Sequence, residues 1–300
     1  MMINKTRTFG VEKFDVVVMN PPYQELKPGF KKSQALWDKF VIKVIEISLI
    51  EGGYFLSIHP SSWRNVDGRF KEIQNLLKAK QIVYLEIHNQ ADGQKTFGVD
   101  IRYDFYCIKN EVNQGNFITK IKCQDGKIER TNLSKMEFIP NGMFNIIQSL
   151  FAKENENKVE ILGNSAYHTQ RPHMSKMQSE EFMFPCAYTI LKKGGMKKFY
   201  SNTNKNGHFG IPKFIWADGR ITSIDSIIDE AGELGLTQYA YAIIDTKSNF
   251  KNIKKAFDSK KFRNLMLMCC VNSKFSVNSK VLSLFRKDFW VDFLDYNNDD

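Results

Sequence analysis

"FDVVVMNPPYQ", residues 14–24, decides how the first part of this chain is read. Val16, Val17 and Val18 form an unbroken β-branched run, the pattern of a strand buried on both faces. Pro21 and Pro22 end it, because neither can donate a ladder hydrogen bond. Further along, Leu36, Trp37, Phe40, Val41, Val44, Ile45 and Leu49 recur at helical spacing, which predicts one amphipathic helix over 33–50. Gly52-Gly53 is expected to stop that helix, with a strand following over 54–59. A second helix is predicted over 70–80, with Phe70, Ile73, Leu76 and Leu77 inward. Strands follow over 82–87 and 102–109, separated by a polar loop over 89–96. Strand, helix, strand, helix, strand is the order of an α/β fold, here part of a Rossmann-like sheet with crossover helices.

Residues 111–140 read as short β-like pieces around the turn Gln124-Asp125-Gly126, and 142–153 as a connecting helix. "KENENK" (153–158) is a polar linker. Three regions are therefore expected: 1–110, a connecting segment over 111–158, and a mixed α+β domain over 159–300.

Hydrophobic and charged contents of 42% and 25% are those of a globular chain. A net charge of +10 favours an acidic partner, of which nucleic acid is the commonest. Cys107, Cys123, Cys186, Cys269 and Cys270 are odd in number and lack a Cys-x-x-Cys spacing, as in a reduced intracellular protein. The first residues have no apolar h-region, and no apolar run is long enough to cross a bilayer, so a soluble cytoplasmic protein without membrane contact is expected. His168 and His173 are not spaced with other ligands, and no metal is expected.

The tetrad Asn20-Pro21-Pro22-Tyr23 has a chemistry of its own. The Asn20 side-chain oxygen and the Pro21 carbonyl can both accept hydrogen bonds from one planar NH2 group, while the Tyr23 ring offers a stacking face. The prolines hold that shape with little entropy left to lose. The exocyclic amine of adenine is a poor nucleophile because its lone pair is delocalised into the ring. Two acceptors gripping its hydrogens draw the nitrogen towards sp3 and free the lone pair for a methyl from a sulfonium, S-adenosylmethionine being the obvious donor. A base presented in this way has to leave the double helix. In the plainer alternative the prolines only end a strand, and Asn20 and Tyr23 are turn residues.

With the tetrad go "LWDKF" (36–40), "EGGYFLSIHPSSW" (51–63), "RFKEIQNLLKAKQIVYLEI" (69–87) and "TFGVDIRYDFYCIKN" (96–110). Together these resemble the gamma-class, adenine-N6 DNA methyltransferases of restriction–modification systems, which carry a C-terminal target recognition domain. The resemblance covers about 14–110. It implies that Asn20, Pro21, Pro22 and Tyr23 form the target-amine site and that Phe97 contacts the flipped base from another side. It also implies that Phe40, with Asn20, lies against the S-adenosylmethionine cofactor; Phe40 equally fits the apolar stripe of its helix as a core residue. The family's Gly-rich cofactor loop has no counterpart before Phe14 or later. Three explanations fit: a split enzyme whose cofactor half is a second polypeptide, a truncated product, or a chain that keeps DNA binding without catalysis.

From Val159 to Trp290, Lys and Arg are nearly twice as frequent as Asp and Glu. Arg171, Lys192, Lys193, Lys197, Lys198, Lys213 and Arg220 are the candidate contacts to double-stranded DNA, the lysines to phosphate and the arginines also to bases. The run over 251–263 reads equally well as a solvated helix face, with Ile253, Phe257 and Phe262 inward. The expected activity is site-specific methylation of adenine N6; the alternative is a non-catalytic DNA-binding recognition subunit.

Overall fold

A computed structural model describes residues 12–25, 33–66, 68–163, 166–191, 195–219, 221, 224–271 and 276–294. The fold is mixed α/β. Two compact units are present: Met1–Asn145 with Val271–Ser273, and Ile146–Cys270 with Lys274–Asp300.

The first unit is built on strands β1 (Phe14–Met19), β4 (Leu49–Pro60), β5 (Lys80–His88), β6 (Tyr103–Val112), β7 (Thr119–Lys122) and β8 (Ile128–Thr131), after a short ribbon of β2 (Gln24–Glu25) and β3 (Gln34–Ala35). The sheet runs β1-β4-β6-β5-β7-β8. The pairs β1–β4 and β5–β7 are parallel, and the others antiparallel. The Gln124-Asp125-Gly126 turn makes the β7–β8 hairpin, with Gly126 at φ 84° where a side chain would be strained. Helices α1 (Trp37–Lys43), α2 (Lys71–Lys78) and α3 (Gln90–Phe97) complete it.

The single helix expected over 33–50 is shorter than its apolar stripe. After α1 the chain makes a π turn over Val44–Ser48 and enters β4 at Leu49. Trp37, Val41, Ile45 and Leu49 are all buried, so the stripe is real, but its last member belongs to a strand. Gly52-Gly53 lies inside β4 rather than ending a helix. Gly52 has φ 76°, and a Cβ on Gly53 would press on the Asp15 carbonyl oxygen at 2.8 Å. The pair takes up the shift in β1–β4 register between Phe14 and Val16.

One face of this sheet is packed. Phe55, Ser57, His59, Tyr106 and Ile108 lie on it, all buried, and Trp37 stacks on His59 at 4.1 Å. Arg64 closes the layer: its Nε donates to Asp104 at 2.8 Å and its Nη atoms donate to the Ile139 and Pro140 carbonyls and Asn141 Oδ1. The other face is bare beside β1, where Val16 is 55% exposed, Val18 74% and Tyr54 41%. Tyr54 is the register partner of Val16, so these side chains share that face. Among the described residues β1 is paired on one side only. The expectation of a strand buried on both faces therefore does not hold for β1 here.

Helix α4 (Phe144–Leu150) carries the chain across the division. The second unit holds β9 (Glu160–Leu162), β10 (Met174–Ser175), β11 (Phe184–Ile190), β12 (Met196–Ser201), β13 (Lys213–Ala217), β14 (Ser226–Asp229), β15 (Gly235–Leu236) and β16 (Ala240–Ile244). They form two four-stranded sheets, β10-β12-β11-β15 and β14-β13-β16-β9. Helices α5 (Phe250–Asp258), α6 (Lys260–Met268) and α7 (Ser279–Leu282) follow. Ile253, Phe257 and Phe262 are fully buried, as their spacing predicts, which leaves the lysines of 251–263 on the outer face.

Candidate active site

The tetrad sits at the carboxyl end of β1, the end of a parallel strand at which α/β sheets bind ligands. Pro21 is buried, Pro22 and Asn20 are exposed, and Tyr23 is half-buried. The chain after it is clipped down: Leu36 N donates to the Tyr23 carbonyl at 3.1 Å, β2 pairs with β3, and Arg69 Nη2 donates to the Ala35 carbonyl. Among the described residues the Asn20 side chain has no hydrogen-bond partner, so its carbonyl oxygen is available to a ligand.

Tyr23 does not stand alone. Its ring meets Phe97 edge-on, centroids 6.0 Å apart and planes at 76°. The two aromatic residues that the sequence assigns to the target base are thus brought together by the fold. The Tyr23 hydroxyl is buried without a partner, and burial, with the Tyr103 ring nearby, raises its pKa to about 12. Tyr23 is therefore a neutral phenol across the physiological range.

Phe97 comes from the last residue of α3, a stretch that the sequence reads as a polar loop. The correction has a local cause. Asn89 and Asp92 form a capping box, each side chain accepting from the other's backbone N–H at 3.1 Å, and Gly98 ends the helix at φ 71°. Gly93, which looks like a helix breaker, is needed: a Cβ there would overlap the Ile101 carbonyl oxygen. The signal was legible as Asn-x-x-Asp before a helix.

Phe40 lies on α1 and is 40% exposed, so it is not a core member of the helix stripe. No described ring contact joins it to Tyr23 or Phe97. On β4, His59 is buried and neutral, its pKa lowered to about 3 by burial. Its Nδ1–H donates to the Pro60 carbonyl at 3.0 Å, which leaves Nε2 to accept from Tyr106 OH at 2.9 Å. Among the described residues no group of His, Cys, Asp and Glu could hold a metal ion.

In the second unit, Arg171, Lys197 and Lys198 are exposed. Tyr188 sits at the shift in β11–β12 register beside both lysines, 5.0 Å from Phe199 and 5.2 Å from Tyr239, itself 42% exposed. Spacing gave no hint of this aromatic surface. Lys192, Lys193 and Arg220 lie outside the described residues. Lys213 corrects the expectation of a phosphate contact. It is fully buried, its ammonium 2.8 Å from Asp229 and donating to the His208 and Ile211 carbonyls. All three of its donors are used inside the fold.

Residues 2–97, about a third of the chain, match the Eco57I restriction-modification methylase family. No curated protein matches the sequence. Among solved structures, the chain is similar to the type IIL restriction-modification enzyme MmeI in complex with DNA, at 8% identity over 90% of this chain and 46% of that one, TM-score 0.48. A nuclease-deletion mutant of the type ISP enzyme LlaGI with a DNA substrate mimic is similar at 10% identity, over 94% and 35%, TM-score 0.44. The M protein of the type I restriction enzyme EcoKI is similar at 12% identity, over 39% and 26%, TM-score 0.30. The chain spans about a quarter to a half of the length of these structures.

Proposed function

We propose that this chain is the catalytic and target-recognition part of a DNA methyltransferase that moves a methyl group from S-adenosylmethionine to N6 of a flipped-out adenine. The observation that carries this reading is the Asn20-Pro21-Pro22-Tyr23 turn at the carboxyl end of a parallel strand, with Asn20 exposed and Tyr23 backed by Phe97. The family match over 2–97 supports the same reaction class.

In this reading the Asn20 side-chain oxygen and the Pro21 carbonyl accept the two amine hydrogens and pull the nitrogen out of conjugation. Tyr23 replaces the stacking that the base loses on leaving the helix, and Phe97 bounds the pocket on a second side. When bound, S-adenosylmethionine supplies an electrophilic methyl group. The described residues fit its site in part: Phe40 offers an exposed ring to its adenine and Asn20 lies at the strand end, but no Gly-rich loop is present. We assign the rest of that site to a further segment, of this or a second polypeptide, which adds a strand along the edge of β1 that is unpaired among the described residues and covers Val16, Val18 and Tyr54. An unpaired edge flanked by exposed apolar side chains is what such a partner would bury. Arg171, Lys197 and Lys198, with Tyr188 on β11 and Tyr239 just before β16, are the proposed DNA-contacting surface.

The same bare edge favours a second reading, in which the chain binds DNA and transfers nothing. Transfer of tritiated methyl from S-adenosylmethionine to duplex DNA, assayed with the chain in extracts of its native cell, separates the two. The first reading predicts label on adenine N6 that disappears in Asn20→Ala while DNA binding is retained. Label insensitive to Asn20→Ala would refute it.

A further inference from the structure

The pair Tyr23–Phe97 continues into two more rings that the sequence did not single out. Phe97 lies edge-on to Tyr103, centroids 5.0 Å apart at 80°, and Tyr103 stacks flat on His88, 4.3 Å apart at 8°. His88 and Tyr103 are direct cross-strand partners of β5 and β6, so this stack is fixed by sheet register. Tyr103 is also held at its rim, where its hydroxyl lies 3.1 Å from Thr96 Oγ1, the residue before Phe97.

The outer end of the row lies beside two acids. His88 sits between two carboxylates, Nε2 at 3.3 Å from Glu86 Oε1 and Nδ1 at 3.4 Å from Asp92 Oδ2. Neither carboxylate is loose. Glu86 takes Lys122 Nζ at 2.8 Å and Tyr84 OH at 2.9 Å, and Asp92 closes the capping box of α3. Each ring nitrogen of the imidazole thus has a carboxylate beside it, and one ring face is covered by Tyr103. An isolated core histidine is satisfied by one partner; here both ring nitrogens meet acids, and the stacked face leads through Tyr103 and Phe97 to Tyr23.

We propose that His88 and Tyr103 are positioning residues for the wall that receives the extrahelical base. His88, flanked by Glu86 and Asp92 and stacked on its cross-strand partner, sets the plane of Tyr103; Tyr103 sets Phe97, and Phe97 sets the Tyr23 ring. A wall built from an interlocked row meets an incoming purine already oriented, which lowers the ordering cost of binding it. This inference rests on the reading of the tetrad as the base-receiving site.

The test uses the full chain and a duplex carrying 2-aminopurine opposite an abasic site, so that the probe base has no pairing partner and leaves the helix at low cost whatever sequence is recognised. An end label reports overall DNA affinity by anisotropy, and 2-aminopurine emission reports stacking in the site. The expected result is that His88→Ala keeps the anisotropy response but loses about half or more of the 2-aminopurine signal. His88→Phe, which retains a flat ring against Tyr103, restores most of it, and Tyr23→Ala abolishes it. A full signal in His88→Ala, with Tyr23→Ala silent, overturns the inference while leaving the base-receiving site standing. No 2-aminopurine response from the unsubstituted chain overturns both. Loss of signal in step with thermal stability, unrescued by His88→Phe, assigns His88 to the fold alone and overturns the inference as well.

Discussion

The rings of Tyr23 and Phe97 meet edge-on at 6.0 Å, although one ends β1 and its following turn and the other ends α3. Their meeting depends on how α3 lies on the chain that follows it. Gly93 lets the helix rest against the Ile101 carbonyl, and the capping box and Gly98 fix where it starts and stops. Phe97 is placed by backbone geometry that lies at one remove from the Tyr23 turn.

Gly93→Ala is therefore expected to push α3 off Ile101. Overpacking of this kind costs about 1–3 kcal/mol, read as a lowered midpoint in urea unfolding. The Tyr23–Phe97 contact should loosen with it, and methyl transfer should fall by more than the folded fraction does. An unchanged midpoint would mean that the helix shifts freely and does not set Phe97.

Lys213 and the pair Lys197 and Lys198 should behave in opposite ways. Lys213→Ala leaves Asp229 buried without its cation, which is expected to cost about 3–5 kcal/mol of stability in denaturant titration. The double substitution Lys197→Ala, Lys198→Ala should leave the unfolding midpoint alone. It should instead reduce the slope of log affinity for DNA against log salt by about 1–2. A stable Lys213→Ala with a reduced salt slope would return Lys213 to the DNA surface.

Stability should fall in mild acid. Burial holds His59 near a pKa of about 3, and burial with the Lys213 charge holds His208 near about 4, against 6.5 for a free imidazole. Between these values the unfolded chain binds protons that the folded chain does not. The contribution is complete above pH 6.5 and is lost as pH drops towards 4, at about 1.4 kcal/mol per pH unit for each histidine. His59→Phe keeps a ring against Trp37 and should flatten that dependence by about half in unfolding measured across the same pH range. An equally steep dependence in the variant would show that His59 titrates normally.

What could be read from the sequence, and what could not, follows from where each signal lies. Three valines running into two prolines leave little choice but a strand and its end, so β1 and the tetrad were legible. The stripe from Trp37 to Leu49 reads as one helix because an apolar run can pass from helix to strand without losing a residue; the π turn at Val44–Ser48 makes that passage. Gly93 reads as a loop residue because composition does not show the Ile101 carbonyl that it accommodates. His88–Tyr103 and Lys213–Asp229 are both direct cross-strand pairs, and register was not readable in advance. A lysine counted as charge becomes a core residue once its register partner is an aspartate.

The bare face of β1 gives a further outcome. Val18 is 74% exposed, so Val18→Lys should cost the isolated chain little stability, within about 0.5 kcal/mol. A lysine on that edge also opposes the addition of a further strand. Methyl transfer in the native cell extract should fall, because the same face is assigned to the cofactor-holding segment. Full transfer by Val18→Lys would remove that assignment.

The central claim is that Asn20 grips an adenine amine for methyl transfer. Its most direct test is nucleoside mass spectrometry of DNA from the native cell, where any partner segment is present, comparing the natural sequence with a chromosomal Asn20→Ala replacement. The account predicts that N6-methyladenine attributable to this chain disappears in Asn20→Ala while the protein remains folded and bound to DNA. N6-methyladenine unchanged by the replacement, or a loss confined to another methylated base, would contradict it.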